Sequence, residues 1–86
     1  MNKDNAYRAF TQELGFKLRM MRDSLRLNAS DAANKFGVSN SLVASYESGK
    51  ETPNLLYLDS ITRACGLKLE DLLIDKNELV KKLYLA

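Results

Sequence analysis

Apolar residues recur at three- and four-residue steps along nearly the whole chain, which is the spacing of one face of an α-helix. Tyr7, Phe10, Leu14, Leu18, Met21 and Leu25 form the first run and predict a helix over about 5–27. Gly15 interrupts it. A glycine inside a helix costs about 1 kcal/mol against alanine, so a bend or a fresh start is expected there. Residues 1–4 are expected to fray. Two short helices at a steep angle, joined by a tight turn, are predicted within 28–53. Asn28 can cap the first, with Asp31 at its third position, and Ser39 can cap the second. Gly37 stands where a helix end needs a left-handed residue, and Gly49 closes the second helix ahead of Pro53. Ala33, Phe36 and Val38 supply apolar contacts between the two.

Downstream, Asn54 can cap a helix over about 55–65, with Leu55, Leu58, Ile61 and Ala64 as its stripe and Gly66 as its end. Its amino end could offer amides to a phosphate. Lys68 cannot cap the next helix, so the start of that helix is weak; Leu69, Leu72 and Leu73 are expected to close the core. In the tail, Asp75 with Glu78 fits a capping-box variant, and Leu79, Val80, Leu83 and Tyr84 share one face. So short a helix is marginal in water. It should pack on the chain's first helix or on the same tail of a second subunit.

On a helical wheel, Val43, Tyr46 and Glu47 share one face of the second short helix. Ser41, Ala44, Ser45 and Ser48 fall opposite, and Asn40 projects from the first turn. Large residues inward and small polar ones outward suit a helix that enters a DNA major groove, about 12 Å wide. Spacing alone leaves a plain helical bundle with a solvated outer face equally open.

The residues of this stretch resemble the helix-turn-helix of the phage repressor and Cro (xenobiotic-response-element-like) family of transcription regulators. The likeness runs through Ala33, Gly37-Val38-Ser39, Val43, Glu47, Gly49 and Pro53. It extends to Leu18 and Arg22 upstream and to Leu55, Leu58, Ile61, Ala64, Gly66-Leu67, Leu69 and Leu72-Leu73 downstream, covering about 15–74 without a gap. The resemblance implies an all-α, compact five-helix lambda-repressor-like domain. Residues 1–14 are then a helical extension that lengthens the first helix, and 75–86 a short amphipathic C-terminal helix available for dimerisation. The recognition helix would be about 39–48, with Ser39, Asn40, Ser41, Ala44 and Ser45 against base edges. Asn40 is the best reader, since asparagine can bond adenine at two points, while Ala44 suits a thymine methyl and Leu42 sits at the edge of the face. Arg22, Asn28, Lys35 and Lys50 would meet phosphates. The likeness also pairs Arg22 with Glu47, a planar pair that can be bidentate. Two departures stand out. Ala29 occupies a position where the family often has glutamine, and no cation or long amide lies within 39–48.

Composition adds limits. Eighty-six residues make one domain with a thin core, and the net charge of +2 is only a weak pointer to an anionic partner. The lone cysteine, Cys65, forms no internal disulfide and falls on an apolar stripe as a small buried hydrophobe. The stretch MNKDNAYRAF is polar and too broken to be expected to act as a secretory signal, and no run of ~20 apolar residues is present. There is no histidine, no cysteine cluster for zinc and no glycine-rich phosphate loop, and the serines lack a partner base. The sequence therefore predicts a non-enzymatic, cytoplasmic, nucleoid-associated regulator of bacterial or phage type, with no cofactor, metal, membrane or small-molecule ligand. Its expected partners are a double-stranded DNA operator and a second copy of itself. An interaction module that keeps the fold without binding DNA is the alternative. The outer face of the first helix, with Arg8, Lys17, Arg19, Arg22 and Arg26, is expected to be solvated or to lie near the DNA backbone.

Overall fold

The computed structural model of the chain describes residues 3–85, with side chains from Asn5 onward. These fold into α1 (Lys3–Ser24), α2 (Ala29–Phe36), α3 (Asn40–Ser48), α4 (Leu55–Ala64), a short 3-10 helix (Leu69–Leu73) and α5 (Lys76–Tyr84), with no strand among the described residues. The expected fraying of residues 1–4 falls partly outside them; Lys3 and Asp4 are already helical.

α1 is the axis of the molecule. α3, α4 and α5 pack against it, and α2 packs on α3 and α4. Leu14, Leu18 and Met21 of α1 meet Ala32, Ala33 and Phe36 of α2, Val43 and Tyr46 of α3, Tyr57 and Ile61 of α4, and Leu72. Tyr57 is the centrepiece, with no exposed surface. Its ring stands edge-on to Phe36 at 5.8 Å and tilted against Tyr46 at 5.1 Å. Such pairs add ~1 kcal/mol beyond area burial.

Several expectations are corrected by packing. α1 runs through Gly15 without a break. A Cβ at that position would stand 2.5 Å from the Glu47 carbonyl oxygen and 2.7 Å from that of Tyr46. The glycine is thus the place where α1 and α3 cross at backbone contact, and the lost helix propensity is the cost of that approach. The helix stops at Ser24 rather than Leu27, because Arg26 turns into the left-handed region at φ 58°. Arg26 N–H and Leu27 N–H then close the end on the carbonyls of Asp23 and Arg22. The aromatics Tyr7 and Phe10 near the start of α1 remain exposed, because the apolar core begins only at Leu14.

Lys17 does not belong to a solvated basic face. It is 6% exposed, and its Nζ donates to the Leu72 carbonyl at 2.8 Å, tying α1 to the 3-10 helix. α4 turns a different face inward from the one its leucines suggested. Tyr57, Ile61 and Thr62 are buried, whereas Leu55 and Ala64 are exposed, because the Tyr57 ring fills the space between Phe36 and Tyr46. The helix ends at Ala64 with Gly66 left-handed, and Cys65 lies half-buried beyond its last turn, its Sγ near Ser24 Oγ and the Met21 carbonyl. Burial pushes that thiol's pKa up, against the smaller opposing effect of the Ser24 hydroxyl.

The expected fifth helix of the domain is a 3-10 turn. Lys68 provides no side-chain cap; its backbone N–H donates instead to Asp71 Oδ2 at 2.9 Å. That bond, and then Lys82 Nζ at 2.7 Å from Oδ1, hold the Asp71 carboxyl below the usual carboxylate range. Only Leu72 of the three leucines reaches the core; Leu69 and Leu73 are exposed. At α5, Asp75 caps through Asn77 N–H, while Glu78 pairs outward with Lys81 rather than completing a box. α5 then lies on α1 of its own chain, with Leu79 fully buried, Val80 and Leu83 half-buried, and Tyr84 exposed.

Candidate nucleic-acid interface

The geometry of α2 and α3 is set by side-chain caps. Asn28 Oδ1 accepts from Asp31 N–H at 2.8 Å, and Asp31 Oδ2 accepts from Asn28 N–H at 3.3 Å, which is a reciprocal capping box. Ser39 Oγ accepts from Leu42 N–H at 3.1 Å and fixes the first residue of α3. Gly37 and Gly49 close the two helices at φ 74° and 79°, where any side chain is strained. A three-residue link between Phe36 and Asn40 leaves α3 little freedom relative to α2.

The position of α3 on α1 is set by charge. Arg22 Nε donates to Glu47 Oε2 at 2.7 Å, and Nη2 donates to Glu47 Oε1 at 2.8 Å. This is the bidentate fork, and both side chains are only 12% and 11% exposed. Nη1 donates to the Leu27 carbonyl at 2.9 Å. The bonds to Glu47 raise the Arg22 pKa above its ordinary value against the opposing effect of burial. Arg22 therefore braces three segments at once, and three of its five N–H groups are committed inside the protein.

With Val43 and Tyr46 buried, α3 presents Asn40, Ser41 and Ala44 to solvent, with Ser39 ahead of them and Ser45 half-buried beside them. The structure thus brings Ser39, Asn40, Ser41 and Ala44 together at the surface, with half-buried Ser45 at their edge. Ser39 Oγ is committed as a cap acceptor, so its hydroxyl can still donate. Asn40 Nδ2 leans on Ser30 Oγ at 3.4 Å. The sequence reading missed Ser30, a residue of the α2 first turn that orients Asn40. Nothing in the spacing signalled it, because the contact joins two helices. Lys35, at the end of α2, and Lys50, just past α3, are exposed. Asn28 is exposed too, with Oδ1 held by the cap and Nδ2 left to face outward ligands. Leu42 is half-buried and packs against the core. The described residues hold no cluster suited to a metal ion, and no helix among them is long and apolar enough to cross a membrane.

Comparison with known proteins matches this geometry to a family. The model of the helix-turn-helix domain family covers residues 13–73, from the middle of α1 through the 3-10 helix. The chain belongs to the helix-turn-helix family. A 59-residue stretch, 69% of the chain, is 41% identical to human endothelial differentiation-related factor 1 and covers 40% of that protein's length. The mouse protein of the same name matches to the same extent. An uncharacterized HTH-type transcriptional regulator of Methanocaldococcus jannaschii is 34% identical over 62 residues, 72% of this chain and 94% of the archaeal protein. The helix-turn-helix is thus shared with a protein scarcely longer than the matched stretch and with proteins more than twice its length. The family match stops at Leu73, so α5 and the first three turns of α1 lie outside it.

Proposed function

We propose that the chain is a sequence-specific double-stranded DNA-binding transcriptional regulator, acting as a repressor by occupying its operator as a homodimer. The observation that carries this reading is the exposed strip of α3, held in place by the Ser39 cap and the Arg22–Glu47 fork. Preorganised small polar residues on a helix braced from behind suit close approach of that helix to base edges in a major groove. In this reading Asn40 reads adenine, Ala44 meets a thymine methyl, and Ser39, Ser41 and Ser45 bond base edges. Lys35, Lys50 and Asn28 grip phosphates. Arg22 is mainly the brace, with two N–H groups left for a phosphate.

A second reading is favoured by one observation: α3 carries no cation and no long amide. An interaction module of the same fold would bind a protein and leave DNA alone.

Selection from a random duplex pool, followed by binding against salt, separates the two. Enrichment of a two-fold site, with half-site centres about one helical turn apart, supports the regulator reading. Salt-sensitive binding without enrichment overturns the sequence-specific part of it. No binding at low salt overturns it entirely in favour of the interaction module.

A further inference from the structure

Outside the α2–α3 face, a groove of about 620 Å³ opens between the first half of α1, the start of α4 and the 3-10 helix. None of its lining residues comes from α2 or α3. Its walls include Phe10, Leu55, Leu69 and Leu73, which are 54%, 68%, 37% and 76% exposed. Apolar side chains bared together on so small a domain mark an interaction surface rather than ordinary scatter.

The charged residues lining the groove are predominantly acidic, three carboxylates against the single cation of Lys17. Glu13, Glu70 and Asp75 line it. Lys17 is buried in the groove wall, where it donates to the Leu72 carbonyl, and Lys76, next to Asp75, stands over the Phe16 ring at 5.5 Å. The groove is therefore apolar with an acidic rim, and its occupant should be apolar with basic flanks. Two copies of the groove pressed together would set acids against acids, which disfavours that arrangement.

One segment of the chain has the matching chemistry. The end of α5 bares Tyr84 and Leu85, 55% and 77% exposed, directly after Lys81 and Lys82. Lys81 is held only by an exposed pair with Glu78, which exchanges readily. This end does not enter its own chain's groove. α5 starts at the groove's edge, beside Asp75, and is pinned to α1 by Leu79. At 1.5 Å per residue its end lies roughly 15 Å further on.

We propose that the groove and the end of α5 are the two halves of one interface. In a two-fold dimer, Tyr84 and Leu85 of each chain seat in the groove of the other, with Lys81 against the partner's acidic rim while Lys82 stays paired with Asp71 of its own chain. The inference rests on the dimeric operator reading above and gives that dimer a defined surface.

The test is sedimentation of the full chain without DNA, at low and high salt. The expected result is a dimer that weakens as salt rises. Leu73→Asp in the groove and Leu85→Asp in the tail should each raise its dissociation constant by roughly tenfold or more. Both side chains are more than three-quarters exposed, so circular dichroism should show the fold unchanged in each. Mixing the two variants, each with a different fluorophore, should then give energy transfer at concentrations where neither associates alone. The mixed dimer keeps one intact tail in one intact groove, whereas each variant's own dimer keeps none. A wild-type chain monomeric at every concentration, a dimer indifferent to both substitutions, or no transfer on mixing each overturns the inference. The selection from a DNA pool is read separately. A monomer that still enriches a site leaves the regulator reading standing, and a dimer that enriches nothing leaves the interface standing.

Discussion

Tyr57 shows what a single buried group costs in this core. Its hydroxyl is enclosed and is the one buried side-chain polar atom among the described residues without a hydrogen-bond partner. Burial, aided by the Glu47 carboxylate, pushes its pKa up to about 12. The aromatic contacts need only the ring, so Tyr57→Phe should raise unfolding stability by about 1 kcal/mol in urea titrations at pH 7. The pH dependence has a definite sign. Above pH 10 the unfolded chain releases the phenol proton while the folded chain keeps it until about 12, so stability falls across that window. Tyr57→Phe should flatten this fall, and equal slopes for both proteins would contradict it. Asn40 is the corresponding residue on the outer face. Asn40→Ala should cost about 1–3 kcal/mol at the selected site and relax one base position, as measured by competition against single-base variants. Lys50→Ala should weaken all sequences alike and flatten the salt slope by about 1 per half-site, about 2 for a homodimer.

At the scale of elements, the crossing of α1 over α3 decides how far α3 can stand from the body. Alanine has the better helix propensity, so in an isolated helix Gly15→Ala would be a gain of about 1 kcal/mol. Here the new methyl would meet two backbone carbonyls of α3 at under 3 Å. Neither can move without shifting Tyr46 and Glu47. Gly15→Ala should therefore destabilise by roughly 1–3 kcal/mol in thermal or urea unfolding. It should also weaken operator binding by more than the folded fraction explains, because the Arg22–Glu47 fork is displaced with the helix. Equal or greater stability would mean that the two helices are not in backbone contact.

The whole molecule is a family domain with an added helix at one end and an extended one at the other. α5 is fastened to α1 chiefly through Leu79, which is fully buried, although the family match ends before it. Leu79→Ala should cost roughly 2–5 kcal/mol, a large part of the ~5–15 kcal/mol typical of a domain. The check is a shift in urea midpoint with an unchanged slope. A negligible loss would show α5 to be detachable. Cutting the chain before Asp75 tests dimerisation and stability together, which is why surface substitutions are the cleaner probe of association. Charge acts at this scale as well. Arg22 is neutralised by Glu47, and Lys35 and Lys50 are the exposed cations proposed for each half-site. A dimer using both on each side should bind with a salt slope of only about −4.

The helix-turn-helix is legible in the sequence because its signals are local. Asn28 with Asp31, Ser39, Gly37, Gly49 and Asn54 each act on backbone within a few residues, and the family likeness rests on several of these same positions. The Arg22–Glu47 pair came from that likeness, since spacing alone does not join residues on two helices. What tertiary structure alone decided was which apolar and charged residues have neighbours. Periodicity placed Leu55, Leu69, Leu73, Tyr7 and Phe10 inside, yet they line the surface, because a stripe says that a face is apolar and not what stands opposite it. Lys17 read as a surface charge and is buried, because the Leu72 carbonyl that receives it lies far along the chain. Gly15 read as a helix break and is a helix crossing, for the same reason. Sequence determined the caps, the turns and the two helices of the helix-turn-helix, where each cause lies within a few residues of its effect. Tertiary structure decided the crossing of α1 and α3, the docking of α5 and the open groove, where cause and effect meet only when the chain closes on itself.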